Sequence, residues 1–153
     1  MCLVDKNGTL RQNLQILKES DINRRTTENI EQVYNNFLNA FLFGINVWKR
    51  GEHARALECL YYTQRYYLQL IRITEETTNH WVNPFTQLEN ELSNKAYESF
   101  KKGTAPLENE AIHEAYIHLL KSSKKIIKQL EQEYSVTDFT QIIKEIEVYS
   151  LEN

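Results

Sequence analysis

The chain has 153 residues and a formal net charge of −3, with 25% of its residues charged. This balance fits one domain with a core of its own, and it predicts neither nucleic acid nor an anionic membrane as a partner. The chain has no uncharged apolar run of about 18 residues and no basic signal-peptide start, so we expect no membrane span and a cytoplasmic location.

The counts of proline and glycine indicate the type of secondary structure, and the cysteine count indicates the redox state. Two prolines and four glycines are few for this length, and their scarcity favours long helices over strands and turns. The two cysteines, Cys2 and Cys59, are expected to be reduced thiols, because two distant cysteines in a cytosolic chain rarely form a disulfide.

The N-terminal segment differs in pattern from the rest. Residues 1–9 have a short apolar run followed by Asn-Gly, which predicts a strand and a turn. No later segment offers this strand a partner, so we interpret it as a remnant of a sheet that lies outside the 153 residues, with a frayed tail as the alternative. Residues 10–26 are predicted to form a short helix, through Leu10, Leu14 and Leu17, and then a polar linker.

The next two segments predict a helical hairpin. From about residue 28 to 49, apolar residues recur at steps of three and four, which indicates a helix with Thr27 as N-cap. A second helix is predicted from about 52 to 74, with Gly51 as the only separator. The expected core residues are Ile30, Tyr34, Phe37, Phe41, Gly44 or Ile45, Trp48, Leu57, Leu60, Tyr61, Leu68 and Ile71.

The remaining segments also have helical patterns. A polar connection (75–83) leads to Asn83-Pro84, which has the form of an N-cap and first turn of a helix extending to 102, with a break near Ser93. Residues 103–106 end it. Helices are then predicted over 108–133 and from Thr137 onward. The fold class is therefore all-α: an antiparallel up-and-down bundle of about four to five helices over 27–153.

The second-to-last helix is expected to bury Ile112, Tyr116, Leu119, Ser123, Ile126 and Leu130, and the last helix Phe139, Ile142, Ile143, Ile146 and Tyr149.

Residues for metal-dependent group transfer are missing from the sequence. Nucleotidyl transfer needs paired carboxylates for Mg²⁺ and a Gly-Ser turn for phosphates. The three aspartates, Asp5, Asp21 and Asp138, are far apart, and no Gly-Ser dipeptide occurs. We therefore predict no catalytic residue, no metal ligand and no cofactor bound by this chain.

Two polar patterns are better explained by structure than by a binding or catalytic function, and a third pattern is absent. His113 and His118 are one residue too far apart for a zinc HExxH motif, which favours solvent-facing or capping histidines. Lys121, Lys124, Lys125 and Lys128 form a basic strip that could bind phosphates, but the glutamates that follow favour a solvated helix face. No Arg-His spacing of the kind used by helical ribonucleases is present.

Four polar residues in apolar settings are candidate substrate-binding residues: Asn46, Arg55, Tyr62 and Arg72. One interpretation is structural, with each arginine stacked on a tyrosine or paired with Glu58 or Glu75. The other is a groove for a polyhydroxylated ligand. Gly44, in the middle of a helix, indicates close packing with another helix or, less often, a ligand that approaches the backbone.

The stretch from Gly44 to Glu58 has the pattern GIN-x-x-KRGE-x-AR-x-LE. With Trp81, Tyr97 and Glu114-Ala115-Tyr116, it resembles the C-terminal helical domain of bacterial lincosamide nucleotidyltransferases. The resemblance implies a helical domain that contributes to a substrate wall and a dimer surface. ATP and Mg²⁺ would be held by an N-terminal catalytic domain that these residues lack.

Two hypotheses follow from this comparison. The favoured one is a substrate-binding and dimerisation domain for a lincosamide-like small molecule, which pairs as a homodimer or with a separate catalytic domain that adenylylates a hydroxyl. The alternative is a stand-alone helical protein-interaction module without catalysis.

Overall fold

The computed structural model describes residues 22–151, and this part of the chain is helical with no strand. The predicted N-terminal strand and the helix through Leu10, Leu14 and Leu17 lie outside the described residues. The all-α prediction is confirmed. In chain order the elements are α1 (Thr27–Lys49), α2 (His53–Thr74), a 3₁₀ turn (Thr78–His80), α3 (Leu88–Glu91), α4 (Asn94–Lys101), α5 (Asn109–Leu130) and α6 (Thr140–Leu151).

The predicted hairpin is present at the junction of α1 and α2. Gly51 has a φ of 77°, a left-handed conformation that glycine adopts without steric cost. Its amide donates to the Trp48 carbonyl at 2.9 Å, which closes the end of α1. The two helices fold back on each other, and Phe37 and Tyr67 meet near the middle of each with ring centroids 6.5 Å apart.

The start of α1 differs by one residue from the prediction. Thr26, not Thr27, is the N-cap: its backbone is extended, and its hydroxyl accepts a hydrogen bond from the Asn29 amide at 3.2 Å. A cap residue needs this non-helical backbone, and Thr27 is already helical.

Helix α5 packs into the hairpin at Gly44. The Tyr116 ring is fully buried there, meets Phe41 edge-on at 5.7 Å, and donates from its hydroxyl to the Ala56 carbonyl at 2.8 Å. A Cβ atom on Gly44 would lie 2.7 Å from Tyr116 Cε1, closer than real Cβ contacts come. Close helix packing is therefore the reason for this glycine, as predicted.

Most of the expected core residues are buried, with a few exceptions. Tyr61 and Ile142 are exposed, Tyr149 lies at the surface, and Trp48, Leu57 and Ile126 are only partly buried. Trp48 is held at the edge of the core because its indole N–H donates to the Asn109 carbonyl at 3.0 Å. Tyr61 lies flat on Phe85, with centroids 4.7 Å apart.

The prediction of a helix that begins at Asn83-Pro84 is wrong. Residues 81–87 form turns, Gln87 has a φ of 57°, and the four-residue α3 follows. The reason is tertiary: the carbonyls of Pro84 and Thr86 accept hydrogen bonds from Arg72 and are not available for a helix. The predicted break near Ser93 is confirmed, since the Ser93 hydroxyl caps α4.

Helix α6 begins at Thr140, three residues later than predicted. The Thr137 amide and hydroxyl both bond to Glu31 Oε1, at 2.6 and 2.7 Å, which keeps Thr137 outside the helix. These bonds lower the pKa of the Glu31 carboxyl. Further along, Lys124 on α5 pairs with Glu147 at 2.9 Å. Helix α6 is thus attached to α1 and α5 by polar contacts in addition to Phe139, Ile143 and Ile146.

Candidate functional site

The hairpin carries an aromatic and amide-rich surface between its two helices. A shallow cleft of about 330 Å³ lies between α1 and α2, and its lining residues are called the hairpin face: Asn36, Asn39, Ala40, Phe43, Cys59, Tyr62 and Tyr66. Phe43 and Tyr62 are each about half exposed, at 52% and 51%. Large rings with solvent access and adjacent amides are the typical composition of a binding surface.

Two of the four predicted site residues lie at this surface. Tyr62 lines it, and the guanidinium carbon of Arg55 lies 5.7 Å from the Phe43 ring centroid. Arg55 also bonds Glu52 at 3.2 Å, and not the predicted Glu58. Hydrogen bonds from Arg50 and Arg55 lower the pKa of the Glu52 carboxyl. Arg55 therefore lies at the edge of the hairpin face as a guanidinium that is already paired with a carboxylate.

Asn46 lies elsewhere, at the contact between α1 and the end of α6. Its side-chain oxygen accepts a short hydrogen bond from the Tyr149 hydroxyl. Lys49 lies over the same ring, with its ammonium 4.1 Å from the ring centroid, and donates to the Tyr149 carbonyl at 2.7 Å. In this position Asn46 contributes to attaching α6.

Arg72 is fully buried and organises the loop after α2. Its guanidinium donates to the carbonyls of Pro84 (3.0 Å), Thr77 (2.7 Å) and Thr86 (2.5 Å). It also forms an ion pair with Glu91 at 2.6 Å, where the sequence predicted Glu75. All these partners belong to residues 77–91, so the structure does not bring Arg72 together with Arg55 and Tyr62.

Comparison with known families identifies the family of this helical domain. The profile described as lincosamide nucleotidyltransferase-like, C-terminal domain, matches residues 26–149. The chain belongs to this family. In this lincosamide nucleotidyltransferase-like domain, the match includes α1 to α5, most of α6 and the whole hairpin face. No curated protein matches the chain.

Residues 22–151 of this lincosamide nucleotidyltransferase-like domain contain no group of three His, Cys, Asp or Glu side chains that could hold a metal ion. The same residues include no helix long and apolar enough to span a membrane. His113 and His118 are both half-buried, and each contacts a carbonyl in the last turn of a neighbouring helix, so the capping interpretation is confirmed and the solvent-facing one is wrong. The His113 ring stacks on Trp48 at 4.3 Å, and its Nε2 lies 3.0 Å from the Ser150 carbonyl.

A second cluster of polar side chains was missed by sequence reasoning. Nε2 of His118 lies 2.8 Å from the Ser99 carbonyl and 3.2 Å from the Ser122 hydroxyl, while the Ser99 hydroxyl lies 2.8 Å from that of Tyr67. The four residues come from α2, α4 and α5. Ser122 follows His118 by one helical turn, and this spacing alone could have predicted that their side chains are neighbours. Nothing in the sequence predicts that α4 lies beside them.

The pKa of His118 is lowered from its ordinary value of 6.5. Burial is the main cause, the Ser99 carbonyl opposes it, and the charges of Lys102 and Lys125 add to it. The folded chain disfavours the imidazolium, so the unfolded chain takes up this proton more readily. The free energy of unfolding is therefore unaffected by this group above pH 6.5 and decreases as the pH falls below that value.

We therefore expect a ¹H–¹⁵N titration of the imidazole to give a pKa below 6.5 for His118. Urea unfolding should show a stability that decreases from pH 7.5 to 5.5, and His118→Gln should remove part of that dependence. A His118 pKa at or above that of an unfolded peptide would contradict the assignment.

Proposed function

We propose that this chain is the helical domain that forms one wall of a binding site for a lincosamide-like small molecule, in an assembly that transfers a nucleotidyl group. The family match carries this proposal, because it extends over residues 26–149 and includes the hairpin face. In this proposal the domain works in the cytoplasm and supplies recognition, while a nucleotidyl-transfer domain supplies the chemistry.

The hairpin face has groups suited to a polyhydroxylated ligand. The half-exposed rings of Phe43 and Tyr62 offer flat apolar surfaces for the C–H face of a sugar ring. The amides of Asn36 and Asn39 and the tyrosine hydroxyls can donate to and accept from ligand hydroxyls. Small-molecule sites usually bury most of the ligand, so this shallow cleft needs a second surface to close over it.

In this proposal the second surface belongs to a partner that carries out the chemistry. The partner would hold ATP and Mg²⁺ and provide a general base for the attacking hydroxyl, so that the adenylyl group would pass to that hydroxyl at the partner's own site and pyrophosphate would leave. A second copy of this chain or a separate catalytic domain could complete the cleft. The polar groups of the hairpin face would then orient the antibiotic toward the reacting phosphate.

We expect lincomycin and clindamycin to bind the purified chain weakly and to perturb NMR signals of Phe43, Tyr62 and Tyr66. Tyr62→Ala should weaken this binding by about fivefold, since aromatic contacts contribute about 1 kcal/mol beyond area burial. Tyr97→Ala is the control, because Tyr97 is also a partly exposed tyrosine but lies on α4 and donates to Glu89 outside the hairpin face. Equal losses in both variants would reject the hairpin face as the site.

A second candidate function is protein interaction without catalysis. The exposed rings of Phe43 and Tyr62 favour it, because Phe and Tyr are enriched at protein interfaces. Under this alternative the drugs give no response, and a partner protein co-purifies with the chain but not with the Phe43→Ser variant. The DNA upstream of the start codon separates the two hypotheses further, since a catalytic reading frame there supports the first.

A further inference from the structure

A larger cleft lies on another face of α2, between α2, α4 and α5. Its volume is about 510 Å³, and we call it the lysine cleft after Lys95, Lys102 and Lys125, which line it. Apolar side chains of Ile71, Ala96 and Ile126 contribute to its wall, together with the hydroxyls of Ser99 and Ser122. It therefore combines an apolar surface with hydrogen-bonding groups and cationic groups.

No described residue neutralises the three lysines. Within residues 22–151, none of their ammonium groups forms an ion pair, whereas Lys101 pairs with Glu98 at 2.8 Å and Lys124 with Glu147 at 2.9 Å. Of the basic strip predicted on α5, only Lys125 turns into the cleft, where it joins two lysines from the α4 segment. This combination was not visible in the sequence.

The two glutamates that line the cleft are already engaged. The Glu75 carboxylate accepts hydrogen bonds from the Ser93 amide, at 2.7 Å, and from the Ser93 hydroxyl. Glu98 is paired with Lys101, which lies outside the lining. The three lining lysines and Lys101 together outnumber the carboxylates of Glu75 and Glu98 by two. The local field is positive although the whole chain is acidic.

The imidazole of His118 lies among these groups. Its Nε2 is 2.8 Å from the Ser99 carbonyl, a distance that places the proton on Nε2 and leaves Nδ1 to take the second proton. Lys102 and Lys125 lie close enough to this ring to contribute to its lowered pKa, although burial is the larger cause.

We propose that the lysine cleft binds a small phosphomonoester, with its phosphoryl group held by Lys95, Lys102 and Lys125 and its organic part against Ile71 and Ile126. A phosphoryl group is a dianion with three strong acceptor oxygens, which matches three ammonium donors and the adjacent serine hydroxyls. The volume exceeds that of free phosphate and suits a ligand with an attached ring. This site is independent of the hairpin face and of the proposed lincosamide binding.

The test uses the full chain with three probes: phenyl phosphate, inorganic phosphate and phenol. Phenyl phosphate should bind saturably by NMR at low ionic strength, about tenfold more tightly than inorganic phosphate because of the apolar wall. Phenol, which lacks the anion, should not saturate. Bound phenyl phosphate should raise the His118 pKa, since a nearby anion favours the imidazolium.

Lys102→Gln and Lys125→Gln should each weaken phenyl phosphate binding by about fivefold, as expected for an exposed charge pair worth about 1 kcal/mol. Lys121→Gln is the matched control, because Lys121 is on the same helix and lines a surface that also includes His118, but it does not line the lysine cleft. Thermal melts of all three variants check the fold. Equal binding of phenol and phenyl phosphate, an effect of Lys121→Gln equal to that of Lys125→Gln, or an unchanged His118 pKa would each overturn the proposal.

Discussion

Replacement of Arg72 by methionine should lower the free energy of unfolding by about 3–5 kcal/mol, the cost of breaking a buried ion pair by removing one partner. The side chain has 0% exposure, so water cannot replace its bonds to the carbonyls of Thr77, Pro84 and Thr86. Methionine has a similar length and apolar character, which limits the loss of packing. Urea unfolding at pH 7 measures the difference.

Arg65→Met is the control for this prediction. Arg65 is on the same helix and donates to one loop carbonyl, that of Val82, at 2.8 Å, but it is only partly buried. We expect a loss of less than about 1 kcal/mol for Arg65→Met. Amide signals should shift throughout residues 77–91 in Arg72→Met, whereas in the control only those next to Val82 should shift. A loss below 1 kcal/mol for Arg72→Met would show that the loop does not need this arginine.

Gly44→Ala should destabilise the chain by about 3 kcal/mol, although alanine is the better helix former by about 1 kcal/mol at an unhindered position. The added methyl group would overlap the Tyr116 ring, with Cζ at 2.5 Å and Cε1 at 2.7 Å. This ring cannot move away easily, because it is fully buried and bonded to the Ala56 carbonyl. Chemical denaturation gives the free-energy difference.

A double-mutant cycle with Tyr116→Leu tests the cause. Leucine removes the far half of the ring, so Gly44→Ala in that background should cost about 1 kcal/mol or less. Gly51→Ala provides a contrast: its Cβ would meet nothing within 4 Å, but its φ of 77° is strained for alanine. Its cost of about 1–2 kcal/mol should not depend on Tyr116. If Gly44→Ala costs the same in both backgrounds, overlap with Tyr116 is not its cause.

The helical hairpin was predictable because its signals are local. The apolar steps from Ile30 to Phe41 and the single glycine at position 51 act within a few turns, and short-range periodicity is enough to find them. The loop at 77–91 was not predictable, because a side chain on α2 sets its path. The Asn83-Pro84 signal is a real helix-start pattern, but the bonds from Arg72 outweigh it.

The candidate site was predicted in part for the same reason. Arg55 and Tyr62 are seven residues apart on one helix, about two turns, so the sequence alone places them on one side. Their neighbours Asn36 and Phe43 come from α1, and the pairing of the two helices decides that contact. The cluster of Ser99, His118 and Tyr67 needs three helices to assemble, so no sequence spacing marks it.

The attachment of α6 has a consequence for how the domain opens. Its start is held by Glu31, its middle by Lys124, and its end by Asn46 and Lys49, and all these contacts lie at or near the solvent. Screening by salt weakens the charged contacts of Glu31, Lys49 and Lys124, which leaves α6 held mainly by Phe139, Ile143 and Ile146, whereas the aromatic packing between α1 and α5 does not depend on charge. The C-terminal helix is therefore the edge from which partial unfolding should begin, while the hairpin keeps its shape.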